Sequence, residues 1–167
     1  MTKEASDPRQ RFVRLAAAVR QQRKLIGRVV GEAKEALVDF DGQKPPPREL
    51  RGIGAIVHDF YTGIEHLFER IAPELNGGLP AGPSWHRELL DDMTLDLPGV
   101  RPAVLRTETA QALHEFLRFR HLFRNLYGFE IEWPRLRALL EKLPGTWSAV
   151  EADLDRFVVF LETAAEG

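Results

Sequence analysis

Between Ile53 and Ile71 apolar side chains return every three or four residues, at Ile53, Ile56, Val57, Phe60, Ile64, Leu67, Phe68 and Ile71. At about 100° per residue that spacing keeps them on one stripe of a helix, which other elements must cover. The same period recurs at Phe12, Leu15, Val19, Ile26, Val30, Ala33 and Leu37, and again at Trp147, Val150, Leu154, Phe157, Val158 and Leu161. No segment sustains the period-two alternation of a half-buried strand. Amphipathic helices without strands predict an all-α, up-and-down helical bundle.

Turn chemistry sets the expected boundaries. Asp7 as N-cap and Pro8 at the first helical position open a helix, which Asp41-Gly42 and Pro45-Pro46-Pro47 close. A second helix is expected from Glu49 to Glu74. Its Gly52, Gly54 and Gly63 each cost up to about 1 kcal/mol in helix propensity, and close helix packing is the expected reason for them. Residues 42–48 and 76–83 read as loops, and Ser84 is expected to cap a short helix reaching Met93. After the irregular link Leu97–Pro102, a helix is expected from Thr107 to Tyr127 with Gly128 as terminator. A short helix over Pro134–Lys142 and a last one starting at Pro144 complete the chain. With 167 residues, 44% of them hydrophobic, one domain over 1–167 can bury an adequate core, with residues 1–7 disordered.

The chain has no cysteine, which excludes disulfides, thiolate metal sites and a cysteine nucleophile. No apolar run approaches the ~20 residues that span a bilayer, and MTKEASDPRQ lacks the apolar stretch of a signal peptide. A reducing cytoplasm, with no membrane partner, is the expected setting. Net charge is −2, but residues 1–30 hold eight basic residues against two acidic ones. Arg9, Arg14, Arg20, Lys24 and Arg28 gather on one side of the first helix. Such a face is either solvated surface or an attraction for a polyanion.

Chemistry concentrates in the segment His114–Tyr127. On a helix Phe116, Phe119, Leu122, Phe123 and Leu126 take one half of the circumference, and His114, Arg120, His121, Arg124 and Asn125 crowd the other. Arg120 and Arg124 repel at four-residue spacing unless an anion or a carboxylate lies between them. Guanidiniums that hold a phosphate beside a histidine make one reading. Pairing with Asp59, Glu65 or Glu69 on the second helix makes the other. His58, His66 and His86 read as surface or packing residues. No phosphate-binding glycine loop, nucleophile elbow or zinc-binding His-Glu-x-x-His occurs, so no cofactor and no metal are called for.

Three segments resemble HepT-like proteins of the HEPN superfamily: IVHDFYTGIEHLFERIA at 56–72, WHRELL at 85–90 and FRHLFRNLYGF at 119–129. The resemblance implies a HEPN-like bundle that dimerises around a basic cleft. It also implies a metal-independent endoribonuclease, the toxin of a toxin–antitoxin pair, encoded beside a small nucleotidyltransferase antitoxin that in some systems adenylylates a tyrosine. The family's usual order is an Arg, four to six residues and a His, often followed by a Tyr. Arg124, Asn125 and Tyr127 are similar to that neighbourhood, but the strict order is absent. The site read from the resemblance and the helix face has Arg120 and Arg124 on the scissile phosphate and His121 as general base or acid. Asn125 orients the phosphate or His121. Tyr127, His114 and Arg118 are binding residues, Tyr127 doubling as a modification site. The ribose 2′-hydroxyl supplies the nucleophile, so the chemistry needs positioning and charge alone. The alternatives are a non-catalytic helical module that binds a nucleotidyltransferase partner, and a structural homodimer.

Overall fold

A computed structural model describes residues 7–127 and 130–167. It holds five helices: α1 (Pro8–Phe40), α2 (Pro47–Leu75), α3 (Trp85–Asp92), α4 (Thr107–Phe123) and α5 (Trp133–Glu166). Among the described residues there is no strand, only an isolated bridge between Leu97 and Arg101. The chain is an all-α helical bundle. The expected disorder of residues 1–7 falls, except for Asp7, outside the described residues, as does the Gly128 terminator.

α2 is the central element. Its buried residues, from Leu50 to Leu75, form one broad face of just under half its circumference, and Arg51, Asp59, His66 and Arg70 stand exposed on the other side. α1, α3, α4 and α5 all pack against it. α1 and α5 run antiparallel: Phe12 meets Phe160 edge-on at 6.3 Å between ring centroids, and Arg23 reaches Asp155 at 2.6 Å. The apolar stripe of α1 is therefore covered within the chain; Leu15, Val19, Ile26 and Val30 are all buried.

The glycines of α2 divide. A Cβ on Gly54 would lie 2.7 Å from the Phe123 ring, and one on Gly63 2.9 Å from Ile26 Cγ1, so both permit close helix approach. Gly52 has open space around it.

The ends of α1 follow the sequence reading. The Asp7 carboxylate accepts from the Arg9 N–H at 3.1 Å, and Asp41 closes the helix in the left-handed region. α2 starts two residues earlier than expected because Pro47, with φ already fixed and no N–H to satisfy, takes the first helical position. Ser84 occupies the cap position of α3, but its hydroxyl makes no cap bond.

Two expectations about helix length are corrected. α4 ends at Phe123 rather than Tyr127. Asn125 N–H donates to Leu122 O and Leu126 N–H to Phe123 O, a tighter turn, while the Asn125 amide caps the His121 carbonyl at 3.2 Å. The two helices expected around Pro144 are one continuous α5. A proline inside a helix costs ~3 kcal/mol. The unbroken buried stripe Leu136, Leu140, Leu143, Trp147, Val150 and Leu154 outweighs that penalty.

Candidate functional site

The site is built where α2, α3 and α4 meet. On α2, Glu65 sits among Tyr61, Ile64, Phe68 and Ala72, an acid on a buried face, and is 2% exposed. A carboxylate removed from water must be paired. Arg120 NH1 of α4 donates to its Oε1 at 3.0 Å, and His86 Nδ1 of α3 lies 2.7 Å from its Oε2. Arg120 NH1 also lies 3.1 Å from His86 Nδ1. The 2.7 Å separation from a carboxylate oxygen requires a proton on Nδ1, so His86 donates to Glu65 and the guanidinium merely adjoins it. Glu65 is thus held between an imidazole and a guanidinium.

The opening of α3 orients His86. Its ring stacks on Trp85 with centroids 3.7 Å apart and meets His121 edge-on at 5.2 Å. His114 donates from Nε2 towards Asp91 at 2.8 Å and ties α4 to α3 about two helical turns before His121. Tyr61 is fully buried with its hydroxyl oxygen unpartnered, and Arg120 Nε is likewise buried without a partner. Burial, and then the Glu65 charge, push the Tyr61 pKa far up and keep the phenol neutral.

His121 faces this cluster from the exposed side of α4. Partial desolvation lowers its pKa below the ordinary 6.5; His86, Arg120 and Arg124 add to the effect, and Glu65 opposes it. The result favours the neutral imidazole, a proton acceptor. Arg124 is exposed at the C-terminal end of α4.

The structure gathers Arg120, His121 and Arg124 at one end of α4, as the helix pattern implies. It distributes the other named residues differently. Asn125 binds the backbone of His121, not its ring. Arg118 lies on another side of α4, around a pocket shared with Glu115, Arg135, Ala138 and Leu139. Tyr127 is 70% exposed beyond the end of α4, and its N–H donates to Glu130 at 3.1 Å. Asp59 pairs with His58 at 3.3 Å, so of the three acids considered as arginine partners only Glu65 holds Arg120.

His86 is the residue that sequence reasoning passes over. The signal was indirect: Glu65 interrupts an apolar face and needs a partner from another helix. Among the described residues no three His, Asp or Glu side chains converge as a metal-ion ligand set. No helix among them is long and apolar enough to cross a membrane.

Fold and site together define an all-α protein with a histidine pair set between a buried carboxylate and two arginines. The family model described as HepT-like protein matches residues 52–161, and the chain belongs to that family. No curated protein and no solved structure matches the chain.

Proposed function

We propose that this HepT-like protein is the toxin of a toxin–antitoxin pair, a metal-independent endoribonuclease that cleaves RNA at the α2–α3–α4 junction. The observation that supports the reading is His121, biased towards its neutral form and flanked by Arg120 and Arg124. A neutral imidazole accepts the proton of a ribose 2′-hydroxyl, and the oxygen attacks the adjacent phosphorus. Arg124, exposed, grips the phosphate. Arg120 is 11% exposed and committed to Glu65, so it lends its charge from behind His121 and fixes the junction. His114, bonded to Asp91, and Arg118, turned to another face, act through the helix or on distant stretches of RNA. Tyr127, exposed beside the site, is the residue offered to a nucleotidyltransferase antitoxin.

A second reading has its own support. The Arg120–Glu65 pair spends on structure a cation that the helix pattern assigns to phosphate, as a non-catalytic module for binding the nucleotidyltransferase would. Incubation of the purified protein with single-stranded RNA in the presence of a chelator separates the two. Cleavage by the wild type, lost in His121→Ala and reduced in Arg124→Ala with melting temperatures kept, supports the nuclease. A wild type inactive on RNA that still binds the antitoxin establishes the module.

A further inference from the structure

Attack by a 2′-oxygen expels a 5′-oxygen, and an alkoxide leaves readily only when it receives a proton. His121 takes the nucleophile's proton, so it cannot supply another in the same step. The neighbouring proton carrier is His86, whose ring centroid is 5.2 Å from that of His121 at an interplanar angle of 76°. Its Nδ1 is fixed on Glu65 at 2.7 Å and its ring face on Trp85, which leaves Nε2 as the nitrogen to meet a substrate. A carboxylate behind an imidazole fixes its orientation and stabilises the imidazolium.

Resting on the ribonuclease reading, we infer that His86 is the general acid of this site and that Glu65 is the residue that positions it. The step balances. The 2′-hydroxyl proton goes to His121, the 2′-oxygen–phosphorus bond forms, and the phosphorus–5′-oxygen bond breaks. The departing oxygen takes the proton from His86 Nε2, which gives a 2′,3′-cyclic phosphate and a 5′-hydroxyl. Solvent then returns His86 to the imidazolium and His121 to the neutral ring. The groups facing His86 are Glu65 of α2 and Arg120 and His121 of α4, with Arg124 beyond His121. Glu65 lies between the imidazole and the guanidinium, Oε2 on His86 and Oε1 on Arg120. That arrangement lets a charged His86 stand beside Arg120.

A leaving-group comparison tests the assignment. The probes are a diribonucleotide, whose alkoxide needs a proton, and a uridine 3′-(4-nitrophenyl phosphate), whose phenolate does not. His86→Gln is expected to slow the diribonucleotide by about 10²–10⁴-fold while cleaving the nitrophenyl ester within about tenfold of wild type. His121→Gln, which lacks the base, loses both. The ratio of the two rates in one sample does not depend on how much of it is folded. In the wild type itself the diribonucleotide shows a bell-shaped pH profile, and the nitrophenyl ester lacks the alkaline fall. An unchanged diribonucleotide rate in His86→Gln, an equal loss on both substrates, or an alkaline fall with both in the wild type overturns the assignment. A wild type that cleaves neither substrate removes the ribonuclease reading, and this inference with it.

Discussion

Asp153 of α5 accepts the backbone N–H of Arg106 at 3.0 Å and so caps α4 from a different helix. The residue at the N-cap of α4, Arg106, makes no cap bond with its own side chain. Asp153 is 1% exposed and also accepts from Arg106 Nε at 2.7 Å, from Arg156, and from the Thr109 side chain. One buried carboxylate thereby fixes where α4 begins, and with it the placement of His121 some four turns on.

Replacing Asp153 by Ala is expected to cost about 1–3 kcal/mol, because the Arg106 N–H and the Thr109 hydroxyl lose their acceptor while the half-exposed guanidiniums of Arg106 and Arg156 stay solvated. Asp153→Asn keeps an acceptor but loses the charge, so about 1–3 kcal/mol is expected. Against burial, which favours the neutral acid, hydrogen bonds from Thr109 and Arg106 hold the carboxyl below its ordinary 3.8. A depressed folded pKa gives stability that is complete above the ordinary value and lost as pH falls towards the folded one. Melting curves from pH 7 down to 3 should therefore show the gap between wild type and Asp153→Asn narrowing only below about pH 4. A gap that narrows already at pH 6 would assign the effect to another group.

The three glycines of α2, alike in sequence, should answer alanine with opposite signs. Gly52→Ala meets open space and gains up to about 1 kcal/mol of helix propensity. Gly54→Ala and Gly63→Ala push a methyl to 2.7 Å from Phe123 and 2.9 Å from Ile26, and overpacking costs about 1–3 kcal/mol. Melting temperature reads the outcome: up for Gly52→Ala, down for the other two. A rise at Gly63 would mean that α1 and α2 do not approach as closely as described.

The apolar periods of 53–71, 12–37 and 147–161 lay open in the sequence because helix formation is local and its stripe repeats within one segment. Asp7-Pro8 and Asp41-Gly42 were legible for the same reason. Pro144 was not: its local penalty is offset because Leu140, Leu143 and Trp147 are buried against helices that lie far from it in sequence. Arg120, His121 and Arg124 were found because they share one helix. His86 and Glu65 were missed as a pair because 21 residues and a loop separate them, and their 2.7 Å contact exists only once α3 lies against α2. Arg101 is of the same kind. In a stretch that reads as an irregular link, its buried guanidinium donates to Asn76 Oδ1 and to the carbonyls of Asp92, Leu95 and Pro102.

The basic face of α1 should contribute to RNA capture unevenly. Arg9 donates to the Gly167 carbonyl and Arg20 pairs with Glu162, so both are engaged with the end of α5. Arg14 instead borders a pocket of about 170 Å³ with Arg11 and Arg70. Reversing Arg14 and Arg70 together is expected to weaken single-stranded RNA binding equally for all sequences. The slope of log affinity against log salt should become shallower by about 0.7 for each phosphate that the protein no longer neutralises. Arg20→Glu should change that slope less. Binding that is unchanged in these variants would return the whole face to solvated surface.

The titration of His121 is the most direct test of the site, since it needs no substrate. Its ring is partly desolvated and faces His86, Arg120 and Arg124, with Glu65 as the opposing charge, so its folded pKa lies below 6.5. Imidazole resonances followed by NMR in the wild type should give a midpoint under that value, which leaves His121 neutral and able to accept a proton at about pH 7. Arg124→Gln removes one cation, and the exposure of that side chain leaves the helix intact; the midpoint should move up. If the proposed chemistry operates, the acidic limb of the cleavage profile should move up with it, because the limb reports the protonation of the base in the free enzyme. A wild-type midpoint at or above 6.5 would mean that Glu65, not burial and the arginines, dominates at His121. The residue would then be charged at mildly acidic pH, suited to holding an anion rather than taking a proton.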